Sequence, residues 1–574
     1  MNAAATETPR PESIGIIVVH GIGEQRRFEH LDWQGRDIIR AIKEQPGVEI
    51  TVEIAASPAA NFHAEQDTWD GGPSGPVQVF VRTNGQFTHC LHFHEVWWAD
   101  VNERYSLAKQ LRFWLWGLAV WSYPTGTGAK LHGTDAVTSP NVPGQRVILN
   151  RLWQRTRLFM VGVFFLVAAF PIGIGLLLIQ RLLNLKTPDL LKTATNYVSG
   201  VKLFNQRSRF GPGFCFRPPN EDFLDTLDEP PRVSVRRRIV RTIAVVAQAD
   251  YDCWYIVAHS QGTVPALNGL METPYAWPGY FDEATWRTFC AAGLGGPGNV
   301  PAVVGATMPQ RPVWARPNEV AYRGRIFQRF RGLLTLGSPI EKFATIWPAR
   351  VPIARIPAFR ENTVWINVFD PLDPVSGVMN GYDGHPTAVC PTPKNVGYAA
   401  SLVLLLAHLR YVTWSGTGCL ADAVAKWLLT GNPDSIRTDG DHCFEPGSRQ
   451  AKRRTAVAWA WWLAVFVVLG IAGGRTVRAV LSRPIASSLC DCPPLAASPL
   501  TIGAKIVAAW HWFWPSNLPC YVLGVVTFAF VGTLLVGGLS HWLLFRGDKD
   551  PPAPDTEGEL RTDVDPEPPA LPPW

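Results

Sequence analysis

The sequence is poor in charged residues. Asp, Glu, Lys and Arg make up 17% of its 574 residues, whereas about 25% is usual in globular proteins. Apolar residues reach an ordinary 47%, so the composition excludes a disordered chain and disfavours a purely soluble protein. The net charge of +6 is spread along the chain without an aromatic and basic repeat, and therefore gives no argument for nucleic-acid binding.

Paired cysteines at metal-binding spacings are also missing, and a secretory leader is not predicted. The ten cysteines are scattered, which favours reduced thiols in a protein that faces the cytosol. Residues 1–13 are polar, and the first apolar run, residues 14–19, is too short for a leader. Because that run is β-branched and is stopped by glycine, it favours a buried strand.

The chain does contain 24 tryptophans, a residue enriched at membrane–water interfaces. Residues 158–179, 455–474 and 521–545 each reach the length of about 20 apolar residues that a spanning helix needs. A buried core helix of this length would show a polar stripe, which these stretches lack. We therefore predict two transmembrane helices within residues 451–546.

The flanking charges predict an orientation for these spans. Basic residues gather at the ends that lie outside the loop joining the two predicted spans, at Arg449, Lys452, Arg453, Arg454, Arg546 and Lys549. The positive-inside rule then places the preceding domain and the C-terminus in the cytoplasm, as in a multi-pass protein of a bacterial-type inner membrane. The tail at 547–574 is acidic and proline-rich, and is predicted to be disordered.

A strand, turn and helix pattern surrounds Ser260. The apolar residues 254–257 lead into the motif AHSQG, and a helical pattern follows. This order is typical of a nucleophile elbow, a sharp turn that holds the serine hydroxyl above the sheet edge. A larger side chain at Ala258 or Gly262 is expected to collide with the strained turn. The alternative is that Ser260 is an ordinary helix N-cap.

Three further predicted strands end in residues suited to the same chemistry. The first is followed by His20 and Gly21, where a backbone N–H could bind an oxyanion, although a plain turn is the alternative. The strand at 333–336 ends in the motif GSP, and the strand at 364–369 leads into the motif DPLDPV.

These motifs together resemble those of the α/β-hydrolase superfamily, on its lipase and esterase side. The resemblance covers about residues 15–105 and 195–430, and implies a central, mostly parallel sheet with flanking helices, to which membrane-associated helices are added. The family's chain order is serine, acid, histidine. It implies Ser260 as the nucleophile and Asp373 as the acid. Asp370 is the alternative acid, or a turn-forming side chain.

Two histidines are the main candidates for the base. His408 begins a His-x-x-Tyr pattern similar to one that follows the acid in several membrane-associated relatives. The apolar residues 402–407 predict a helix. A histidine at the end of such a helix could instead be a core residue whose hydrogen bonds are satisfied. His385 lies in a glycine-rich loop close after the acid. We predict His408 as the base and keep His385 as the alternative.

The implied mechanism needs no cofactor. His408 takes the proton of Ser260, Asp373 fixes the imidazole tautomer, and the serine attacks an acyl carbonyl. The backbone N–H groups of Ile22 and Gln261 are the expected oxyanion donors. His20, Gly21 and Gly262 are expected to support the two motifs. A metal site is not predicted: His92 and His94 share one face of a strand, but no further ligand motif is visible, and cross-strand packing explains them better.

The site constrains the topology of residues 106–185. The strands before His20 and Ser260 must share one sheet, so the intervening chain must cross a membrane an even number of times. A membrane-associated helical hairpin of residues 111–123 and 158–179 satisfies this, and a re-entrant segment near Pro171 is the alternative. Between the elbow and the next strand, residues 270–330 carry many aromatics, which would suit a lid or a packing elaboration.

The predicted organisation alternates between hydrolase domain and membrane. Residues 1–105 form the N-terminal segment of the hydrolase domain, residues 106–185 the membrane insertion, residues 186–450 the C-terminal segment of the hydrolase domain, residues 451–546 the two spans and residues 547–574 the tail. The expected function is a membrane-anchored serine ester hydrolase that acts at the lipid bilayer on an acyl ester or lipid. Peptidase, thioesterase and acyltransferase activities stay open, and the alternative is a catalytically inactive hydrolase-fold membrane interaction protein.

Overall fold

The computed structural model describes a subset of the chain. The described residues are 10–21, 31–54, 76–98, 231–298, 311–346, 358–359, 362–379, 393–403, 406–413, 415–436 and 442–461. The predicted insertion 106–185, the second predicted span and the tail lie outside them, as does most of the first predicted span. Within the described ranges, no helix combines the length and the apolar character that crossing a membrane requires.

The described strands form a nine-stranded sheet in the order β11-β10-β9-β8-β5-β1-β4-β3-β2 and a separate pair, β6 and β7. Their bounds are β1 Glu12–Val19, β2 Val48–Ile54, β3 Val77–Thr83, β4 Gln86–Val96, β5 Cys253–His259, β6 Gly295–Pro297, β7 Glu319–Ala321, β8 Phe330–Leu336, β9 Val364–Phe369, β10 Lys394–Tyr398 and β11 Cys443–Phe444. The strands expected around residues 14–19, 254–257, 333–336 and 364–369 are therefore confirmed.

The middle of the large sheet is parallel. β4, β1, β5, β8, β9 and β10 run in one direction, whereas β3 and β11 are antiparallel to their neighbours. Val19 of β1 pairs with Ala258 of β5, which confirms that the strands before His20 and Ser260 are neighbours. Because the carboxyl ends of parallel strands meet at one edge, the residues that follow them are brought together there.

Helices cover both faces of this sheet. The described α-helices are α1 Arg36–Lys43, α2 Pro231–Gln248, α3 Thr263–Met271, α4 Glu283–Ala291, α5 Arg323–Ile326, α6 Ile340–Ile346, α7 Leu406–Leu409 and α8 Leu420–Thr430. Ile17 and Val19 of β1 belong to the core formed with α2 and α3. Ile16 and Val18 belong to the core formed with α1 and α8. Burial on both sides explains why β1 is continuously apolar rather than alternating. The mostly parallel α/β sheet predicted from the sequence is thus confirmed.

The aromatic segment at 270–330 packs into the main core where it is described. Trp277, Tyr280, Phe281 and Trp286 are almost completely buried, and they share one core with α2 and α3. Phe281 and Trp286 also lie in ring contact at a centroid distance of 6.0 Å. These side chains stabilise the domain, which favours packing over a lid as their role.

The chain around His408 differs from the predicted helix over 402–407. Residues 401–403 form no helix, and the described residues of α7 run from Leu406 to Leu409. The apolar run at 402–407 carries little information on its own, because short apolar runs do not distinguish helices from other buried segments. Further on, residues 449–461 are helical; they are called the 449–461 helix below.

Candidate active site

Ser260 lies at the turn between β5 and α3. Its φ of 55° is left-handed, and Asn84 is the other non-glycine residue with positive φ in the described chain. Such a conformation costs free energy and is found where a side chain must be held in a set direction. The turn is closed by Thr263, whose hydroxyl donates to the carbonyl oxygen of Ser260 at 2.7 Å. The Ser260 side chain caps neither the 3₁₀ turn Ser260–Gly262 nor α3, so the N-cap interpretation is wrong.

Two glycines allow the turn to approach the end of β1. A Cβ on Gly262 would lie 2.2 Å from the carbonyl oxygen of His20, and a Cβ on Gly21 would lie 2.6 Å from the Cβ of Ser260. The expected collision at Gly262 is therefore with the neighbouring strand rather than with the turn itself. The AHSQG motif and the His20–Gly21 motif are in contact at these two glycines. Neither position has room for a side chain, so both must be glycine.

Ser260, His408 and Asp373 form one chain of hydrogen bonds. The Nε2 atom of His408 lies 2.8 Å from the Oγ of Ser260, and its Nδ1 lies 2.8 Å from the Oδ2 of Asp373. An ionised Asp373 accepts from Nδ1–H, so Nε2 is left to accept the serine proton. All three residues are buried. The alternative base, His385, lies outside the described residues.

The carboxylate of Asp373 is held ionised. Burial alone would raise its pKa, but the charge and hydrogen bond of His408, the ammonium of Lys342 and the N–H of Val375 together lower the pKa to about 2. The Val375 N–H donates to Oδ1 at 2.8 Å. Lys342 also donates to the carbonyl oxygens of Pro374 and Ser376. The acid loop is thus fixed from α6.

Asp370 has different partners. Its Oδ1 accepts from the N–H of Leu372 at 3.0 Å, which is the turn role named as its alternative. The guanidinium of Arg454 donates from Nε to Oδ1 at 3.0 Å and from Nη2 to Oδ2 at 2.7 Å. The geometry therefore brings Asp373, and not Asp370, to the histidine. Arg454 lies 84 positions away from Asp370, and no sequence motif connects the two residues.

Tyr411 is a fourth member of the network that the sequence analysis did not assign. Its buried hydroxyl donates to Oδ2 of Asp373 at 2.8 Å, the same oxygen that faces His408. It also accepts from the N–H of Asp370 at 2.9 Å. Burial and the charge of Asp373 raise the pKa of this phenol well above its usual value, so it remains a donor. The His-x-x-Tyr spacing was the signal that could have identified it.

Two further histidines are buried next to the site in neutral form. His259 donates from Nε2 to the carbonyl oxygen of His408 at 3.0 Å, and burial, followed by the charge of His408, lowers its pKa to about 3. His20 accepts the N–H of Trp98 at Nε2, at 2.9 Å, and its ring stacks on Trp98. Burial lowers the pKa of His20 to about 3. Both act as fixed hydrogen-bonding groups that hold strand ends.

The remaining predicted residues are only partly placed. Gln261 is buried directly after Ser260, whereas Ile22, the other expected oxyanion donor, lies outside the described residues. Gly337, with a φ of 60°, borders the triad: a Cβ there would lie 3.2 Å from both the Cε1 of His408 and the Oδ2 of Asp373. Ser338 adds a 2.8 Å contact to the hydroxyl of Thr263. The GSP strand end therefore supports the elbow and the base.

The histidines of β4 serve in packing. His94 Nε2 lies 2.8 Å from the hydroxyl of Tyr251, and the ring of His92 packs against the same tyrosine at 4.7 Å. Among the residues that the structure describes, no three metal-binding side chains come together as a candidate metal site.

Comparison with known proteins gives no further assignment, since no protein-family model, curated protein or solved structure matches this chain. The geometry of the site is therefore the basis for any functional conclusion.

Proposed function

We propose that the protein is a membrane-anchored serine hydrolase that cleaves acyl esters, with Ser260, His408 and Asp373 as its catalytic triad. The observation that carries this proposal is the continuous hydrogen-bonded chain from Asp373 through His408 to a serine in a left-handed turn. A serine used only for packing has no need of a strained backbone or of a paired histidine at its hydroxyl.

Each residue has a step in the proposed reaction. His408 Nε2 takes the Ser260 proton while the alkoxide attacks the acyl carbonyl, and Asp373 stabilises the resulting imidazolium. The N–H of Gln261, with that of Ile22, stabilises the oxyanion. His408 then returns the proton to the leaving alcohol, and water repeats the sequence to release the acid and restore Ser260.

The strand order supports an α/β-hydrolase-like fold with an altered beginning. The chain enters the sheet at β1, in its middle, and the edge beyond β4 is completed by β3 and β2. In the family, two strands normally precede the strand that corresponds to β1. Here, the antiparallel strands β2 and β3, which follow β1 in the chain, occupy this edge.

The surface around His408 supports a bilayer and a lipid-like ester as partners. Leu402 is 70% exposed, and Leu406 and Leu409 on the turn of His408 are also exposed. Val457, Trp459 and Trp461 are exposed on the 449–461 helix, which leads in sequence into the uncharged run that ends at 474. Exposed apolar side chains beside a site are typical of contact with lipid or with another apolar surface.

Labelling with a fluorophosphonate tests the enzyme proposal. Such a probe reacts with a serine activated by histidine, and we expect labelling of the wild type that Ser260→Ala abolishes. Ser234→Ala is the matched control, since Ser234 is also a buried serine but lies on α2, and it should retain labelling. Absence of labelling in folded wild type would contradict the enzyme proposal. It would favour the alternative, a catalytically inactive membrane interaction protein with a hydrolase fold. Lipid analysis of membranes treated with wild type and Ser260→Ala then identifies the substrate.

Cysteine accessibility in intact cells tests the membrane proposal. Single cysteines at Ser208 and Thr556 should be protected together from an impermeant reagent, because an even number of crossings separates them. Labelling at Thr134 alone would support the hairpin at 106–185, and protection there would favour the re-entrant form. Opposite exposure of 208 and 556 would overturn the predicted pair of C-terminal spans.

A further inference from the structure

The 449–461 helix contacts both halves of the site that we propose. Arg454 on this helix is almost buried, and it binds Asp370 through two hydrogen bonds of 3.0 and 2.7 Å. Ala458, one turn further on, packs against Leu372 in the acid loop and Ala407 beside the base. Trp461 donates from its indole to the carbonyl oxygen of Leu402 at 3.1 Å. One helix therefore fixes the acid loop and the histidine turn together.

The hydrogen bonds continue from Arg454 to the triad. Asp370, held by Arg454, donates its backbone N–H to the hydroxyl of Tyr411 at 2.9 Å. That hydroxyl donates to Oδ2 of Asp373 at 2.8 Å, and the same Oδ2 accepts from His408. These hydrogen bonds connect Arg454 to the carboxylate that orients the base, through Asp370 and Tyr411.

We infer that Arg454 is a positioning residue of the proposed active site, acting on Asp373 through Asp370 and Tyr411. This inference rests on the proposed function. It makes the start of the apolar run at 455–474 a structural component of the site, because Arg454 immediately precedes that run. The bidentate pairing requires a planar fork with two donors, a geometry that arginine provides and lysine does not.

The rate at which a fluorophosphonate labels Ser260 tests this inference in the full-length protein. Since misplacement of a catalytic group by about 1 Å can cost about 100-fold, we expect Arg454→Met to slow labelling by about 10- to 100-fold. On p-nitrophenyl butyrate, kcat should fall while KM changes little. Arg454→Lys should recover some of the rate. The matched control is Arg453→Met, at the exposed neighbouring arginine, and it should label at the wild-type rate.

A double variant separates positioning from a folding defect. Arg454→Met leaves the buried Asp370 carboxylate without its cation, which destabilises a protein by itself. Asp370→Asn/Arg454→Met removes that charge and keeps an oxygen for the Leu372 N–H. We expect the double variant to unfold at a higher temperature than Arg454→Met, because no unpaired charge is left, and still to label slowly. Recovery of the wild-type rate would show that the stranded charge caused the defect, and would overturn the inference.

Tyr411→Phe tests the route. If Arg454 acts through Tyr411, then Tyr411→Phe/Arg454→Met should label no more slowly than the slower single variant, since residues in one network are not additive. If the two rate defects multiply in the double variant, Arg454 does not act through Tyr411.

If wild type labels at Ser260 and folded Arg454→Met labels equally fast, the inference fails while the proposed function stands. If wild type does not label, both fail.

Discussion

The turn at Ser260 and the loop at 370–376 both follow central strands of the sheet, but they are held by different means. The turn depends on neighbouring backbone: the left-handed Ser260, the hydroxyl of Thr263 and the close approach of Gly262 to β1. The loop depends on distant side chains, namely those of Lys342, Tyr411 and Arg454. A locally built turn can be recognised from a short motif, whereas the distant partners that hold a loop cannot.

The largest expected effect concerns the turn and its histidine. We expect Ser260→Ala and His408→Ala each to lower turnover by about a millionfold, because the triad acts as a unit. The double variant should lose little more than either single variant. Turnover of an ester by the purified variants provides the measurement. Residual activity within tenfold of wild type in either single variant would assign the chemistry to another residue.

The two aspartates of the loop should differ by a wide margin. Asp373→Asn should lower kcat by about 10⁴-fold, because an amide favours the wrong imidazole tautomer. Asp370→Asn keeps the turn oxygen and does not touch His408, so its loss should remain within about 100-fold. Comparing kcat of the two variants on one ester checks this. Equal losses would contradict the assignment of Asp373 as the acid.

Tyr411→Phe should have a smaller effect on the same loop. The variant keeps the buried ring and removes one hydrogen bond to Asp373. A lost hydrogen bond to a charged group is worth about 1.5–3 kcal/mol, and because only a fraction of this acts on the transition state, we expect kcat to fall by about tenfold. Steady-state kinetics and the unfolding temperature of the variant give the measurement. An unchanged kcat in folded Tyr411→Phe would show that the phenol does not support the acid.

The last expected effect is on the pH dependence of stability and not on turnover. His259 has a pKa of about 3 in the folded protein and about 6.5 when unfolded. As the pH falls below about 6.5, the unfolded state binds a proton that the folded state does not, so stability decreases toward pH 3. The loss attributable to His259 between pH 7.5 and pH 5 is about 2 kcal/mol.

Urea unfolding at pH 7.5 and pH 5 measures this loss. His259→Gln removes the ionisable group, and its free energy of unfolding should fall less over that interval than that of wild type. Leu409→Gln, at an exposed neighbour of the base, provides a control that keeps His259. If the free energy of unfolding changes with pH identically in His259→Gln and in wild type, then His259 is not a buried neutral histidine with a lowered pKa.

The sequence predicted the strands and their ends well. Central strands are buried on both faces, so runs rich in β-branched and aromatic residues, such as residues 14–19 and 364–369, are read reliably as strands. Residues that follow parallel strands meet at one edge, and from this alone Ser260 and Asp373 could be placed near each other. The helix predicted over 402–407 was incorrect at residues 402 and 403, because a short apolar run lacks a distinct period.

What the sequence by itself determined is therefore the mostly parallel sheet, the position of the serine turn and the candidates for acid and base. These rest on local conformation and on patterns of burial, which a short stretch of chain encodes. The choice of Asp373 over Asp370 as the partner of His408, the contribution of Tyr411 and the pairing of Asp370 with Arg454 were decided only by the tertiary structure. Each depends on where a side chain far along the sequence packs, and a buried charge takes whichever partner the fold brings within hydrogen-bond distance.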